Sequence, residues 1–499
     1  MGTVLRKGLK SMGRNNKISR LNLIILVCSL IATSYAAFQL HSLGALPLKY
    51  ELPVIGILFA LILLFNVIAW RLKGKWSKLF IKTITILLSA TLFIGAFFIQ
   101  EGFAALQRMT RPEAKVNEMS LVVLSDADID SLDEIDSIAF VSDGSKYFNT
   151  TMTVIKNEQS DIRFQILQDN AAVLDSLYNG DVDALLIREA HRSTYEEVNT
   201  LFSIETKKVW NYTITEEVQD ISKDVNVVNT PFTVYLSGID TYGDISYVSR
   251  TDVNMLVTIN PNTNQVLLTS IPRDCWVKLE NMQEYDKLTH SGLEGAENSV
   301  ATIENFLGID INYFARVNFT SLIKFVDAFG GITVDNPLTF TCYYPPNTTY
   351  KEGQVKLDGT MALEYARERH AFDNMFEDTE RGDQVRVENQ QRVVMGIAKK
   401  VLSPTLLTNF QDILTALEGT FETNITTDEM MSLVRMQLDS MASWEFINQK
   451  VLGEYEYRFG GAYMPGWELI YYIPNEDSVE NIVNNINTVL NNGLLETNN

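Results

Sequence analysis

Asp240, Arg250, Asp252, Arg273 and Asp274 punctuate a stretch in which apolar runs keep breaking off. Residues 232–236 form a strand-like run that breaks at Gly238 and delivers Asp240 to a polar loop closing with Arg250 and Asp252. Arg250 and Asp252 are two apart, so in an extended segment their side chains share a face. Residues 265–271 are apolar and β-branched, follow the turn sequence Asn260-Pro261-Asn262-Thr263-Asn264, and stop at Pro272, Arg273 and Asp274. Further along, Arg367 and Arg369 repeat the spacing of two, and Asp383, Arg386 and Gln390 fall on one stripe of a helix at i, i+3 and i+7. Arginine offers a planar, permanently charged fork to phosphate oxygens, and carboxylates hold hard divalent cations. Ligands of open α/β sheets lie beyond the carboxyl ends of strands, where Asp240, Arg273 and Asp274 project. Any one of these residues alone reads as a solvated charge or a surface ion pair. Gathered at strand ends, they point to a site for a metal and a phosphate.

On these residues the chain resembles the LytR-CpsA-Psr family of cell-envelope proteins, in its CpsA type. The hallmarks are Gly238-Ile239-Asp240, Arg250-Thr251-Asp252, Ile271-Pro272-Arg273-Asp274, Arg367-Glu368-Arg369, and the Asp-x-x-Arg-x-x-x-Gln pattern from Asp383 to Gln390. Asn389 departs from the pattern, standing where an Arg often precedes the Gln pair. The resemblance implies a layered α/β/α domain with a mixed sheet and a phosphotransferase. Its donor would be a glycan on an undecaprenyl pyrophosphate carrier, and its acceptor peptidoglycan. The glycan would be a capsular polysaccharide or a related anionic wall polymer. In that setting Asp240 and Asp252 hold Mg2+, with Mn2+ able to substitute. Arg250, Arg273, Arg367 and Arg369 are the catalytic, pyrophosphate-binding arginines, Arg386 and Gln390 add phosphate contacts, and Asp274 and Asp383 support from behind. The family also implies a polyprenyl chain held between sheet and helices. Three other readings use the same features: a pyrophosphatase with water as nucleophile, a non-catalytic polymer-binding protein, and a membrane-bound regulator or attenuator of capsule genes.

The elements that would carry these residues can be read around them. Residues 294–307 read as an amphipathic helix ending at Gly308, and 320–329 as a second, with Thr320 as N-cap and Gly330-Gly331 as the stop. Strand-like 311–319 and 332–334 flank the second helix, and this alternation implies a layered α/β sheet. His290 sits just before the first helix; a lone loop histidine is more often structural, and it receives no role. Residues 406–417 and 428–441 keep helical periodicity, 455–472 are rich in aromatics, and all complete a catalytic domain over residues 231–499. Residues 215–230 read as a connector. Before it, 115–214 alternate short apolar runs (121–124, 138–141, 151–155 and 184–187) with a helix over 170–179 closed by Gly180, the pattern of a small α/β accessory domain. Asp126, Asp128 and Asp130 do not open a calcium loop, because Ser131 and Ser137 stand where Gly and Glu are required.

A chain of 499 residues with 46% hydrophobic content has room for two or three domains. Residues 1–100 hold 12 of the 41 Lys+Arg and only Glu51 of the 62 Asp+Glu, a charge of +11, which leaves 29 minus 61, or −32, on the remainder. So acidic a body argues against nucleic acid as a partner. Apolar runs at 21–40, 52–70 and 79–100 each approach the length of a bilayer-crossing helix. Arg6, Lys7, Lys10, Arg14, Lys17 and Arg20 precede the first run, and Arg71, Lys73, Lys75 and Lys78 separate the second from the third. The expectation is a multi-pass protein of a bacterial cell membrane, with a cytoplasmic basic tail over residues 1–20, three spans within 21–100, and the rest of the chain extracytoplasmic. Of the three cysteines, Cys28 lies in an apolar run, and Cys275 and Cys342 could pair or stay as buried thiols.

Overall fold

The computed structural model describes residues 20–110, 114–141, 145–343, 346–376, 379–403, 410–417 and 419–496. The basic segment from Arg6 to Lys17 lies outside the described residues, as do 406–409 of the expected 406–417 helix. The described chain falls into two compact units, one of the helices up to residue 104 with Met431–Met441, the other of Ala105–Met430 and Ala442–Asn499.

The first unit contains three apolar helices long enough to cross a membrane, Arg20–Leu43, Leu48–Arg71 and Lys75–Met109, the last as far as Ala104. The third extends past the expected 79–100 run at both ends. A helix of 24 residues is about 36 Å long, enough for a hydrocarbon layer of about 30 Å. Large apolar side chains such as Leu21, Ile57 and Phe80 point outward, as a lipid-facing surface requires. Inside, buried Asn66 donates to Ser29 Oγ at 3.3 Å and ties the second helix to the first.

In the second unit, β1 (Lys115–Leu124), β2 (Ser137–Val141), β3 (Arg163–Leu167), β4 (Ala184–Arg188) and β5 (Thr206–Glu216) form a sheet in the order β3-β2-β4-β1-β5. Alternate residues feed opposite faces: Leu121 and Val123 join Phe148 and Ile155 on one side, while Val122 joins Val173 and Leu174 on the other. Residues 151–155, one of the four short apolar runs, form no strand but are part of the helix Lys146–Glu158. Its buried positions, Tyr147, Phe148, Thr151 and Ile155, repeat at helical spacing, which a short window of apolar residues conceals. β5 also runs two residues into the expected connector.

The chain then lays down β6 (Phe232–Ile239), β7 (Thr251–Asn260), β8 (Gln265–Ile271), a short hairpin of β9 (Trp276–Lys278) and β10 (Tyr285–Lys287), and β11 (Tyr313–Val317). Small ribbons of β12 (Ile332–Asn336), β13 (Phe340–Thr341), β14 (Thr349–Tyr350) and β15 (Gly353–Leu357) follow. Last come β16 (Phe421–Thr423), β17 (Glu445–Lys450), β18 (Gly453–Arg458) and β19 (Leu469–Pro474). The main sheet is mixed, in the order β16-β11-β6-β7-β8-β17, with β6 antiparallel to β7, β7 to β8, and β11 parallel to β6. Tyr235, Leu256 and Leu267 pack on one face with the helices Ala296–Leu307 and Glu476–Leu490; Met255, Val266 and Leu268 pack on the other against Val394 and Met395 of the helix Thr379–Val401. The result is a three-layer α/β/α body.

Three local expectations are corrected. β6 does not break at Gly238 but continues to Ile239 through a register shift, because a side chain at Gly238 would meet Val253 Cβ at 2.8 Å and only glycine lets the strands close there. The first expected helix starts at Ala296 and not at residue 294, because Gly295 at φ +103° parts it from a 3-10 segment, Leu288–Glu294, that holds His290. The helix Phe319–Ala328 is capped by Asn318, not Thr320. Asn318 Oδ1 accepts from Ser321 N at 2.9 Å while Ser321 Oγ accepts from Asn318 N at 2.7 Å, a reciprocal box, and Thr320 Oγ1 instead accepts from Gly243 N.

Candidate functional site

β6 and β8 run the same way and β7 runs against them, so the carboxyl ends of β6 and β8 and the amino end of β7 meet at one edge of the sheet. Asp240 follows β6, Arg250 and Asp252 flank the start of β7, and Pro272, Arg273 and Asp274 follow β8. The five nearest groups form one ion-pair network. Arg250 Nη2 lies 3.5 Å from Asp240 Oδ2 and its Nε 3.5 Å from Asp252 Oδ1. Arg273 Nη1 donates to the same Asp252 oxygen at 3.2 Å, and its Nε lies 3.5 Å from Asp274 Oδ2. Gly292 backs this arrangement: a Cβ there would meet Ser249 O and Thr251 N at 2.8 Å, so the 3-10 segment lies directly against the backbone that carries Arg250.

The distant arginines arrive on two helices. Gly359–Arg367 is capped by Asp358 at its start and ends with Arg367 in its last turn, where the helix dipole favours a cation. Glu368 then turns the chain: its carboxylate accepts from Tyr343 N and Ala371 N, both at 2.8 Å, which splays Arg367 and Arg369 to either side of a buried residue. Arg367 Nη2 reaches within 3.9 Å of Asp240 Oδ1, and its guanidinium lies 4.3 Å from the centroid of the Phe319 ring. Arg369 pairs with Asp373 at 3.4 Å. On the helix Thr379–Val401, Gln391 anchors to Ser270 Oγ and Gln449 O, which turns Arg386 and Gln390 toward the sheet edge. Asp383 pairs with Arg386 and accepts from Tyr455 Oη at 2.9 Å. Asn389, the departure from the family pattern, is buried and accepts from Arg392 at 2.8 Å.

These elements enclose a cavity of about 690 Å³. Asp240, Asp252, Arg273, Arg367, Arg369, Arg386 and Gln390 line it; Arg250, Asp274 and Asp383 stand behind that surface and touch residues that do. Arg250 is thus a bridge between the two carboxylates rather than a wall of the cavity. Ile239, Val253, Val317, Phe319, Leu322 and Leu363 make the wall apolar elsewhere. Burial alone would raise Asp252, but Arg273, then Arg250 and Arg386, hold its carboxyl below the usual range. Asp252 in turn holds Arg273 well above the ordinary arginine value. Cys342 lines the cavity, Cys275 lies in the core, and both are free thiols.

Among the described residues no group of three or more His, Cys, Asp or Glu could hold a metal ion by itself. Asp240 and Asp252 still fit a divalent cation of the Mg2+ kind: both face one cavity and both reach one guanidinium. Mg2+ is commonly held by one or two carboxylates, with phosphate oxygens and water completing its shell.

Sequence reasoning passed over Phe319, which serves as a shelf for Arg367, and Tyr455, which fixes Asp383. It also passed over Thr289, whose Oγ1 reaches Asp252 at 3.4 Å. Phe319 was one aromatic among many; Thr289 adjoins the histidine that drew notice.

Residues 198–488 match the LytR_cpsA_psr family. The chain belongs to the LytR-CpsA-Psr family. Among its curated relatives, the polyisoprenyl-teichoic acid–peptidoglycan teichoic acid transferase TagU of Enterococcus faecalis is 38% identical over 213 residues, covering 42% of this chain and 67% of TagU. The transferase of the same name from Bacillus anthracis is 33% identical over 244 residues, covering 47% and 77%. Among solved structures, Bacillus subtilis TagV is 25% identical, covers 53% of this chain and 98% of its own, and superposes with a TM-score of 0.44. The first sheet of this LytR-CpsA-Psr protein lies mostly before the matched residues.

Proposed function

We propose that this chain transfers a glycopolymer from a polyprenyl pyrophosphate carrier to peptidoglycan, and that the polymer is a capsular polysaccharide or a related anionic wall polymer. The observation that carries the reading is one cavity lined both by arginines and aspartates and by apolar side chains. That is the mixed lining a diphosphate joined to a hydrocarbon demands. The names of the curated relatives, teichoic acid transferases acting on polyisoprenyl-linked polymer and peptidoglycan, support the same reaction class.

In this reading an acceptor sugar hydroxyl attacks the phosphorus that bears the glycan. A new P–O bond forms, the bridging P–O bond of the pyrophosphate breaks, its electron pair leaves with the lipid phosphate, and the hydroxyl proton passes to solvent. Arg273, Arg367, Arg369 and Arg386 bind the diphosphate oxygens and stabilise the charge that develops on them. Arg250 keeps Asp240 and Asp252 in register, and Gln390 contributes a neutral contact. Mg2+ held by Asp240 and Asp252 would add Lewis-acid neutralisation of the phosphate oxygens. The three apolar helices keep the site at the bilayer to which the carrier lipid is confined, with the body on the outer side.

The test is product analysis with the purified full-length protein, a synthetic polyprenyl-pyrophosphate-linked oligosaccharide and a peptidoglycan oligosaccharide. Acceptor-dependent release of polyprenyl phosphate, with the glycan phosphate joined to the acceptor, is the expected result. Release independent of acceptor would make the protein a pyrophosphatase, and no release would overturn the reading.

A further inference from the structure

A line of charge, buried at its middle, leads from the accessory fold to Arg273. The helix Arg192–Val198, which follows β4, brings Glu197 Oε2 to 2.8 Å from Lys287 Nζ and Oε1 to 3.5 Å from His290 Nε2. Lys287 Nζ also lies 3.6 Å from Asp274 Oδ1, and the other Asp274 oxygen lies 3.5 Å from Arg273 Nε. His290 Nδ1 faces Asp286 Oδ1 at 3.0 Å. The Lys287 and His290 side chains are only 7% and 1% exposed, so each needs a fixed anion in place of water. The backbone stitches the same segment to the site, since Thr289 N donates to Arg273 O at 2.8 Å and Leu288 N to Cys275 O at 2.9 Å. Glu197 falls just before residue 198, where the family match begins.

We propose that Glu197 is a positioning residue for the pyrophosphate site: its carboxylate holds Lys287, Lys287 holds Asp274, and Asp274 sets the Nε edge of Arg273. The role rests on the reading of the site given above. Without the Glu197 charge, Lys287 and His290 keep only Asp274 and Asp286, and Lys287 competes with Arg273 for Asp274. Burial would lower the His290 pKa, but Asp286 and Glu197 raise it to about 9, so the imidazolium is a standing charge in the network at neutral pH. Burial would raise Glu197, yet His290 and Lys287 hold it well below the usual carboxylate range. The accessory fold in this account supplies one carboxylate that the catalytic fold lacks.

Calorimetric binding of farnesyl pyrophosphate to the detergent-purified full-length protein tests this, with Glu197→Gln, Asp274→Asn and the double variant. Glu197→Gln should weaken binding roughly tenfold, the scale on which supporting residues act. The double variant should bind no more weakly than Asp274→Asn alone, because the effect travels through Asp274. Equal affinity in wild type and Glu197→Gln, or losses that add in the double variant, would overturn the role. A purely structural Glu197 would lower the melting temperature and leave the affinity of the folded protein unchanged. Should the Gln variant fail to fold, Glu197→Asp, which keeps the charge but withdraws it, takes its place with the same expected loss. If the wild-type protein itself does not bind, the reading of the site falls and this role with it; binding that is insensitive to Glu197 sinks the positioning role alone.

Discussion

Arg273 touches Asp252 with one edge and Asp274 with another, so its fork is fixed before any phosphate enters. Arg273→Ala or Arg367→Ala should lower transfer by about 10² to 10³, as loss of one preorganised charge contact does elsewhere, with the melting temperature near that of the wild type. Arg273→Lys should fail similarly, because a point charge cannot span both carboxylates; transfer at wild-type rate in either protein would refute the assignment. His290 gives a prediction with a definite sign. Its folded pKa, about 9, exceeds the ordinary value of 6.5, so its stabilisation is fully present below pH 6.5 and fades as pH rises toward 9. Melting temperature should therefore decline across that window, and His290→Gln should flatten the decline. At this scale the arginines and aspartates were legible because their spacing and their place at strand ends repeat one theme. The partnership of Glu197 with Lys287 was not, since two ordinary charges 90 residues apart carry no mark of burial until the fold seals them in.

Elements show why some boundaries could be read and others not. β8 ends where the apolar run ends because Pro272 stops the ladder there. The helix Lys146–Glu158 hid its period in a window too short to distinguish 3.6 from 2, and the Asn318 cap was overlooked beside a plausible Thr320. Removing that cap with Asn318→Ala should cost about 1 kcal/mol, read as a lower denaturant midpoint at unchanged slope. Gly292→Ala pushes a methyl group into Ser249 O and Thr251 N. It should destabilise by about 1–3 kcal/mol and reduce transfer further than the stability loss explains, because the displaced backbone bears Arg250. Wild-type activity in that variant would show that the Arg250 segment tolerates movement.

For the whole molecule, the proposed orientation with the body outside rests on the distribution of cations. A cysteine placed at exposed Tyr457 should react with an impermeant thiol reagent in intact cells, and one placed at Lys73 should react only after lysis. The reverse pattern would invert the topology. The three apolar runs were plain in composition, and so was the acidic body, but the manner in which the two sheets join was not. Arg188 of β4 sits 2.6 Å from Glu294, Lys115 of β1 pairs with Glu297 at 3.5 Å, and Asn170 donates to Tyr463 O at 2.9 Å. Groups so enclosed lose their partners together, so neither sheet has a separate melting event available to it. A scanning calorimeter should record one endotherm for both, and a diphosphate lodged against Arg273 should shift that endotherm as a whole, protecting amides of β1 and β4 from exchange although no ligand atom comes near them.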